Sequence, residues 1–335
     1  AADASERTNL ILAETTGADA VVVRGSLVGR DGVPLGTETL TVPRWGQRQL
    51  SGVVPRLGGG FGARAARLEV AVVSGGGALA AVTTVVDNAN DDAAAFVAGT
   101  PPSAGVGALV ARPLWARATG TVKSLVPALV NGYRTFPASA EPFTFRSVMG
   151  FASLASAEAV FRLTYHDLAS GAVLSREVRV PGRRSVEYAN VLEQLFGVGS
   201  GVPSQGPLFV ESDLHGLLWC RVASSIGNGT IGDSFPVVPI PSEGLTGGGA
   251  ARVVSIDGLE QSVDPTRGTR SNLLLNEVSG RPVALLVSLY EAGNRSSPIA
   301  EREVSLSPLE KRQLSTVFSE LGLDGEGRRT DRTNV

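Results

Sequence analysis

Two hydrophobic periods alternate along this chain. In "REVRV" (176–180), Val178 and Val180 face one way while Glu177 and Arg179 face the other. In "REVSL" (302–306), Val304 and Leu306 oppose Glu303 and Ser305. A period of two with one wet face predicts antiparallel strands half buried in a sheet. Shortly afterwards the period changes. Leu50, Val53, Val54 and Leu57 fall at i, i+3, i+4 and i+7, as do Tyr188, Val191, Leu192 and Leu195, and again Leu314, Val317, Phe318 and Leu321. That spacing predicts a two-turn helix with one apolar stripe, stopped by Gly58, Gly197 or Gly322. A helix so short is not stable alone, so its stripe should dock as a plug at one end of a sandwich.

The same order of elements recurs three times, from Arg7, Arg146 and Arg270, about 125–140 residues apart. "RTNLIL" (7–12) returns as "RSNLLL" (270–275), and "LTVPRWGQRQLSGVVPRLG" (40–58) runs beside "VSLSPLEKRQLSTVFSELG" (304–322). A more diverged copy begins "RSVMGF" and continues through "REVRVPGRRSVEYANVLEQLFG" (176–197). After the helix, "ARLEVAVVSGGGALAAVTTVVDN" (66–88) parallels "GPLFVESDLHGLLWCRVASSIGN" (206–228), and each predicts a hairpin turned at "SGGG" or "DLHG". Pro- and Gly-rich connectors follow at 99–107 and 239–249. A further strand, "TVKSLV" or "ARVVSI", either closes the earlier sandwich or opens the later one.

Many short strands, frequent turn signals and almost no long helix predict an all-β chain of three tandem antiparallel β-sandwich repeats, each with one short helix. The expected boundaries are 1–120, 121–248 and 249–335. The third repeat is expected to be incomplete, because "LGLDGEGRRTDRTNV" stands where the other copies place their hairpin. More of the same polypeptide would complete it, or a strand donated by a neighbouring chain, with "AADASE" as a short candidate donor. The alternating strands, the "R-S/T-N-L" openings and the connectors resemble the tandem immunoglobulin-like (Ig-like) repeats of secreted bacterial surface proteins. The Cys…Trp…Cys core of immunoglobulin domains proper is missing. The resemblance implies an exported, modular protein, adhesive or structural rather than catalytic.

Composition narrows the function classes. Net charge is -2, with no basic stripe to neutralise phosphates, which argues against nucleic acid as a partner. Only Lys123 and Lys311 are lysines, and with 41 glycines this points to a GC-rich bacterial genome. One cysteine, Cys220, allows no intrachain disulfide. No run of 18 apolar residues exists to span a membrane as a helix. The opening "AADAS" reads either as a fragment boundary or as a mature end left by a signal peptidase.

Chemistry-bearing residues are few. His166 in "TYHDL" sits at a strand end, where the third copy has Tyr290, and His215 lies in the "DLHG" turn. Both read as packing or turn residues rather than catalytic ones. "GNGTIG" (227–232) fits G-x-G-x-x-G, but the prolines at 236, 239 and 241 forbid the helix a dinucleotide site requires. Asp87, Asp91 and Asp92 in "DNANDD" are the one metal candidate, for calcium, whose hard oxygen ligands they could supply. Cys220 beside Trp219 reads as a buried thiol. Aromatic residues make up 5% of the chain, low for a sugar-stacking platform. No catalytic residue, cofactor or small-molecule ligand is expected. The expected partners are other protein chains, copies of itself foremost. The expected role is that of a non-catalytic extracellular or cell-surface protein, structural or adhesive, a fibre subunit assembled by strand complementation. The alternative is a spacer or substrate-binding repeat region of a larger secreted enzyme.

Overall fold

The computed structural model describes residues 6–60, 66–88, 93–97, 121–134, 143–213, 215–226, 229–235, 237–240, 256, 259–262, 270–291 and 296–323. These build antiparallel sheets and three one-turn helices, an all-β sandwich architecture. Contacts divide the chain into two compact units, Ala1–Arg134 with Phe143–Pro239, and Thr135–Pro142 with Ile240–Val335.

The first unit holds two sandwiches. In the first, β1 (Glu6–Glu14), β2 (Val21–Val28), β3 (Pro34–Val42) and β4 (Gln47–Leu50) lead to α1 (Val53–Arg56), then β5 (Arg67–Ser74), β6 (Leu79–Asp87) and β7 (Ala93–Val97). One sheet runs β4-β1-β6-β7 and the other β3-β2-β5. Between them Leu10, Leu12, Val21, Val23, Val42 and the helix residues Val53 and Val54 form the core.

The second sandwich consists of β8 (Thr121–Arg134), β9 (Phe143–Ser153), β10 (Ala159–His166), β11 (Val173–Val180), β12 (Ser185–Tyr188), α2 (Val191–Gln194), β13 (Ser204–Asp213), β14 (Gly216–Ile226), β15 (Gly229–Phe235) and β16 (Val238–Ile240). Its sheets, β11-β10-β13-β8 and β12-β9-β14-β15, are joined through β8. That strand pairs with β13 up to Asn131 and with β9 from Gly132 onward. Gly132 makes the crossing possible: its φ is 89°, and a Cβ there would stand 2.5 Å from the Val202 carbonyl oxygen. The strand "TVKSLV" therefore opens the later sandwich. The core is larger here, with Phe151, Phe161, Leu163, Tyr165, Leu192 and Leu208 each no more than 1% exposed.

The second unit contains β17 (Leu273–Asn276), β18 (Val283–Leu289), β19 (Ala300–Leu306), β20 (Lys311–Leu314) and α3 (Val317–Glu320). They pair as β17-β20 and β18-β19 around Leu289, Val304, Leu306, Leu314, Val317 and Phe318.

Two sequence expectations change. The 66–88 and 206–228 segments are not hairpins. β5 pairs with β2 while β6 pairs with β1, and β13 pairs with β10 while β14 pairs with β9, so each turn carries the chain from one sheet to the other. The helices have one turn, not two. Leu50, Tyr188 and Leu314 end strands, and in the first and third copies Gly52 (φ 59°) and Thr316 (φ 58°) break the backbone between strand and helix.

Those two left-handed corners explain the repeated Asn of "RTNLIL" and "RSNLLL". Asn9 Oδ1 accepts the Gly52 N–H, and Asn272 Oδ1 accepts the Thr316 N–H, each at 3.2 Å. The second copy has Val148 at the strand position and carries its asparagine, Asn190, at the corner itself, where the backbone is extended.

A second corner, between the third and fourth strands of each copy, places Trp45, Arg183 and Leu309 at φ 52°, 60° and 59°. A buried carboxylate holds it in the first and third copies. Glu14 accepts from the Thr16 hydroxyl (2.6 Å) and from the N–H groups of Thr16, Gly17 and Trp45 (2.8, 2.8 and 2.9 Å). Glu277 accepts from Ser279, Gly280 and Leu309 in the same pattern. The second copy has Ser153 instead, whose hydroxyl donates to the Ala155 and Ala157 carbonyls.

The two sandwiches of the first unit are tied to each other. Arg221 pairs with Glu6 at 3.0 Å, with side chains only 14% and 9% exposed, and Arg67 donates to the Arg183 carbonyl.

The Thr16 hydroxyl, reinforced by the N–H groups of Trp45, Thr16 and Gly17, holds the Glu14 carboxyl at about 2, against burial, which pushes it up. At Glu277 burial also pushes up, and the Leu309 N–H and the Ser279 hydroxyl outweigh it. A depressed folded pKa contributes stability above the unfolded value near 4.5 and loses it as pH falls toward the folded value. The melting temperature should therefore fall as pH drops from about 5 toward 2, and Glu14→Gln should flatten that fall while lowering the neutral-pH value. An unchanged pH profile in Glu14→Gln, followed by circular dichroism, would contradict this role.

Candidate functional site

Among the described residues, one cluster of polar side chains near the second core is bonded within the fold. Tyr165, Ser204 and Asp167 form a chain in which the Tyr165 hydroxyl lies 2.7 Å from Ser204 Oγ and Ser204 donates to Asp167 Oδ1 at 3.0 Å. Ser204 is 1% exposed and Tyr165 fully buried, so no substrate reaches the hydroxyl. Burial alone would raise the Asp167 carboxyl. Ser170, the Ala169 N–H, Ser204 and Gln205 together hold it below its ordinary value, which makes it a poor base. The cluster anchors the β10–β11 turn to the start of β13.

His166 ends β10 with its ring edge-on to Phe209, centroids 5.2 Å apart, and burial lowers its pKa. His215 lies in the β13–β14 turn and places Nε2 2.9 Å from the Glu158 carbonyl oxygen. The structure brings neither ring into the Tyr165–Ser204–Asp167 chain. The stretch "GNGTIG" ends in β15, and β16 is the next described element after it.

Asp87 is the buried last residue of β6, opposite Glu6 of β1, while Asp91 and Asp92 lie outside the described residues. Among the described residues no group of three or more His, Cys, Asp or Glu side chains is placed to hold a metal ion. No helix among them is long and apolar enough to cross a membrane. Cys220 faces the second core at 1% exposure, and burial pushes its thiol up to about 12.

Strand edges are where the three sandwiches differ. β10 is flanked by β11 and β13, and β2 by β3 and β5, but among the described residues β18 pairs only with β19. Likewise β9 lies between β12 and β14, whereas β17 pairs only with β20. The first sandwich shows a second kind of open edge. In the second, β8 covers the outer side of β13, and Leu208, Val210 and Ser212 are 0%, 1% and 4% exposed. The matching residues of β5 are Leu68, Val70 and Val72. The first two are half-buried and Val72 is 49% exposed, because among the described residues β5 pairs with β2 alone.

Three of the exposed large apolar residues lie on these edges, while Trp45, Val33, Val173 and Val202 are exposed elsewhere. Val72 and Val73 on β5 and Leu286 on β18 are 49%, 54% and 65% exposed. An unpaired edge with apolar side chains is a template for another strand. Sequence reading missed the open side of β5, since "RLEVAVVS" reads like any half-buried strand.

Comparison with known proteins adds little. No protein-family model and no curated protein sequence matches the chain. A solved structure titled "Crystal Structure of Thermotoga maritima 1070" covers 36% of this chain and 93% of its own, at 16% identity and a TM-score of 0.27.

Two measurements check these environments. Leu208→Ala should cost about 2–5 kcal/mol in chemical denaturation, and Leu68→Ala distinctly less, because β8 seals only the former. Equal losses would mean that β5 is covered as well as β13. Cys220 should resist maleimide labelling at pH 8 in the folded protein and react fully once unfolded; rapid labelling of the native chain would place the thiol in an accessible site.

Proposed function

We propose that the chain is a non-catalytic structural or adhesive repeat protein of the bacterial exterior, a fibre subunit whose third sandwich is completed by a strand from another chain. The observation that carries this reading is the one-sided pairing of β17 and β18 among the described residues, where the equivalent strands of the other two sandwiches are paired on both sides. The resemblance to Ig-like repeats of secreted surface proteins supports the exterior placement. The reactive groups support a scaffold, since Glu14, Glu277, Asp167 and Ser204 all spend their bonding capacity on turns. Strand complementation suits such edges: main-chain hydrogen bonds supply affinity and alternate side chains supply register. Because donor and acceptor are different surfaces, the contact does not close, and it propagates.

The purified chain should grow from monomer into linear assemblies as its concentration rises, followed by sedimentation velocity and negative-stain microscopy. Appending a copy of residues 198–226 after Leu323 should complete the third sandwich internally, suppress assembly and raise its melting temperature. A chain that stays monomeric at every concentration, or an extended variant that assembles as before, would refute the proposal.

A further inference from the structure

The open edge of β18 has a matching edge on the same polypeptide type. We infer that β18 of one chain pairs antiparallel with β5 of a second copy, with Leu286 opposite Val72. This inference rests on the fibre reading and names its contact.

The second sandwich supplies the geometry. In the order β11-β10-β13-β8, β18 corresponds to β10 and, among the described residues, is open on the side β10 turns to β13. β5 corresponds to β13 and, among the described residues, is open on the side β13 turns to β8. Both open edges thus point the same way along that order. Joining them antiparallel, the only pairing found among the described strands, requires one sandwich to be turned over about its strand axis. The two cores then lie on opposite faces of one continuous sheet, β3-β2-β5 followed by β18-β19 of the next chain.

That inversion gives the exposed Leu286 and Val72 apolar neighbours. Leu286 points away from its own core, since Leu285 and Val287 belong to it, and stands 65% exposed. Across the seam it would lie on the core face of β5, against the exposed Val72 and half-buried Val70. Val73, 54% exposed, is the extra residue where the β2–β5 register shifts, between Val72 opposite Val23 and Ser74 opposite Val22, and across the seam it would stand beside Leu285 at the margin of the third core. Leu286 thus covers the margin of the first core from across the seam. With Leu286 opposite Val72, Val287 meets Ala71 and Ser288 meets Val70, and no charge faces a like charge. A seam of this length lies at the small end of specific interfaces, so association should depend on concentration.

The test uses two chains with one new cysteine each, Val72→Cys and Leu286→Cys; the native Cys220 is buried in both. Mixed in equal amounts and oxidised mildly, they should yield the 72–286 disulfide heterodimer as the dominant product, identified by peptide mass mapping. Replacing Leu286→Cys by Ser288→Cys should cut that yield, and adding Val73→Lys to the first chain should abolish it, each variant having first been shown to keep its melting curve. Dominant 72–72 homodimers would mean that β5 pairs with itself and would overturn the inference. Linear assemblies without a 72–286 link would overturn it while leaving the fibre reading intact. Absence of both assemblies and link would overturn both.

Discussion

The requirement that a strand inside a sandwich be flanked on both sides governs most of what distinguishes the three repeats. Backbone N–H and C=O groups along an edge can remain in water at little cost, but the apolar row beneath them cannot. β10 has neighbours on both sides, and its core-facing Phe161, Leu163 and Tyr165 are 0%, 1% and 0% exposed. β18 carries the equally apolar Val283, Leu285, Val287 and Leu289, yet the first two stay half-buried. The side chains are not at fault. Burial at these positions is set by whether a neighbouring strand arrives.

Within each sandwich the corners solve one backbone problem by different chemistry. Trp45, Arg183 and Leu309 all adopt the left-handed region that disfavours side-chain-bearing residues by roughly 1–2 kcal/mol. None is glycine, so the surroundings must impose the conformation. In the outer copies a carboxylate gathers N–H groups from both sides of the corner and fixes it from one point. In the middle copy the serine hydroxyl donates into the neighbouring loop, and the Arg183 N–H reaches the Ala155 carbonyl directly. The common link in all three is a backbone bond from the end of the first strand to the residue after the corner, Glu14 to Gly46, Ser153 to Arg184 and Glu277 to Glu310.

Sequence patterns disclosed the all-β class, the three copies and the alternating strands, because each of these is local. The wrong hairpins also came from local signals. "SGGG" and "DLHG" say that the chain reverses, and nothing in a turn says whether it stays in its sheet or crosses to the facing one. The two-turn helix failed because a 3.6-residue spacing continued across Gly52 and Thr316, where the backbone itself changes hand. The carboxylate clamp was legible: "AETTG" and "NEVSG" both place a hydroxyl two residues and a glycine three residues after the glutamate. The open side of β5 was not, since it depends on which distant strand lies next to it. Of the calcium candidate, Asp87 takes its place at the end of β6, and Asp91 and Asp92 lie outside the described residues.

A last comparison separates geometry from chemical identity. At one position of the third strand in each copy stand Glu38, Arg176 and Arg302, and each reaches the end of the short helix. Glu38 pairs with Arg56, whereas Arg302 pairs with Glu320, the same bridge with its charges exchanged. Arg176 dispenses with a carboxylate and donates to the Leu195 and Phe196 carbonyls. A site that binds or transforms a ligand cannot exchange the sign of its groups between equivalent places without losing its ligand. A latch between strand and helix can, because only the sum of the interaction matters. The repeats tolerate such exchanges at their latches, where the strand and the helix need only be held together. Leu286 is a different case: it is 65% exposed on the side of β18 away from its own core, and contact with another strand is an environment in which its apolar character is favourable.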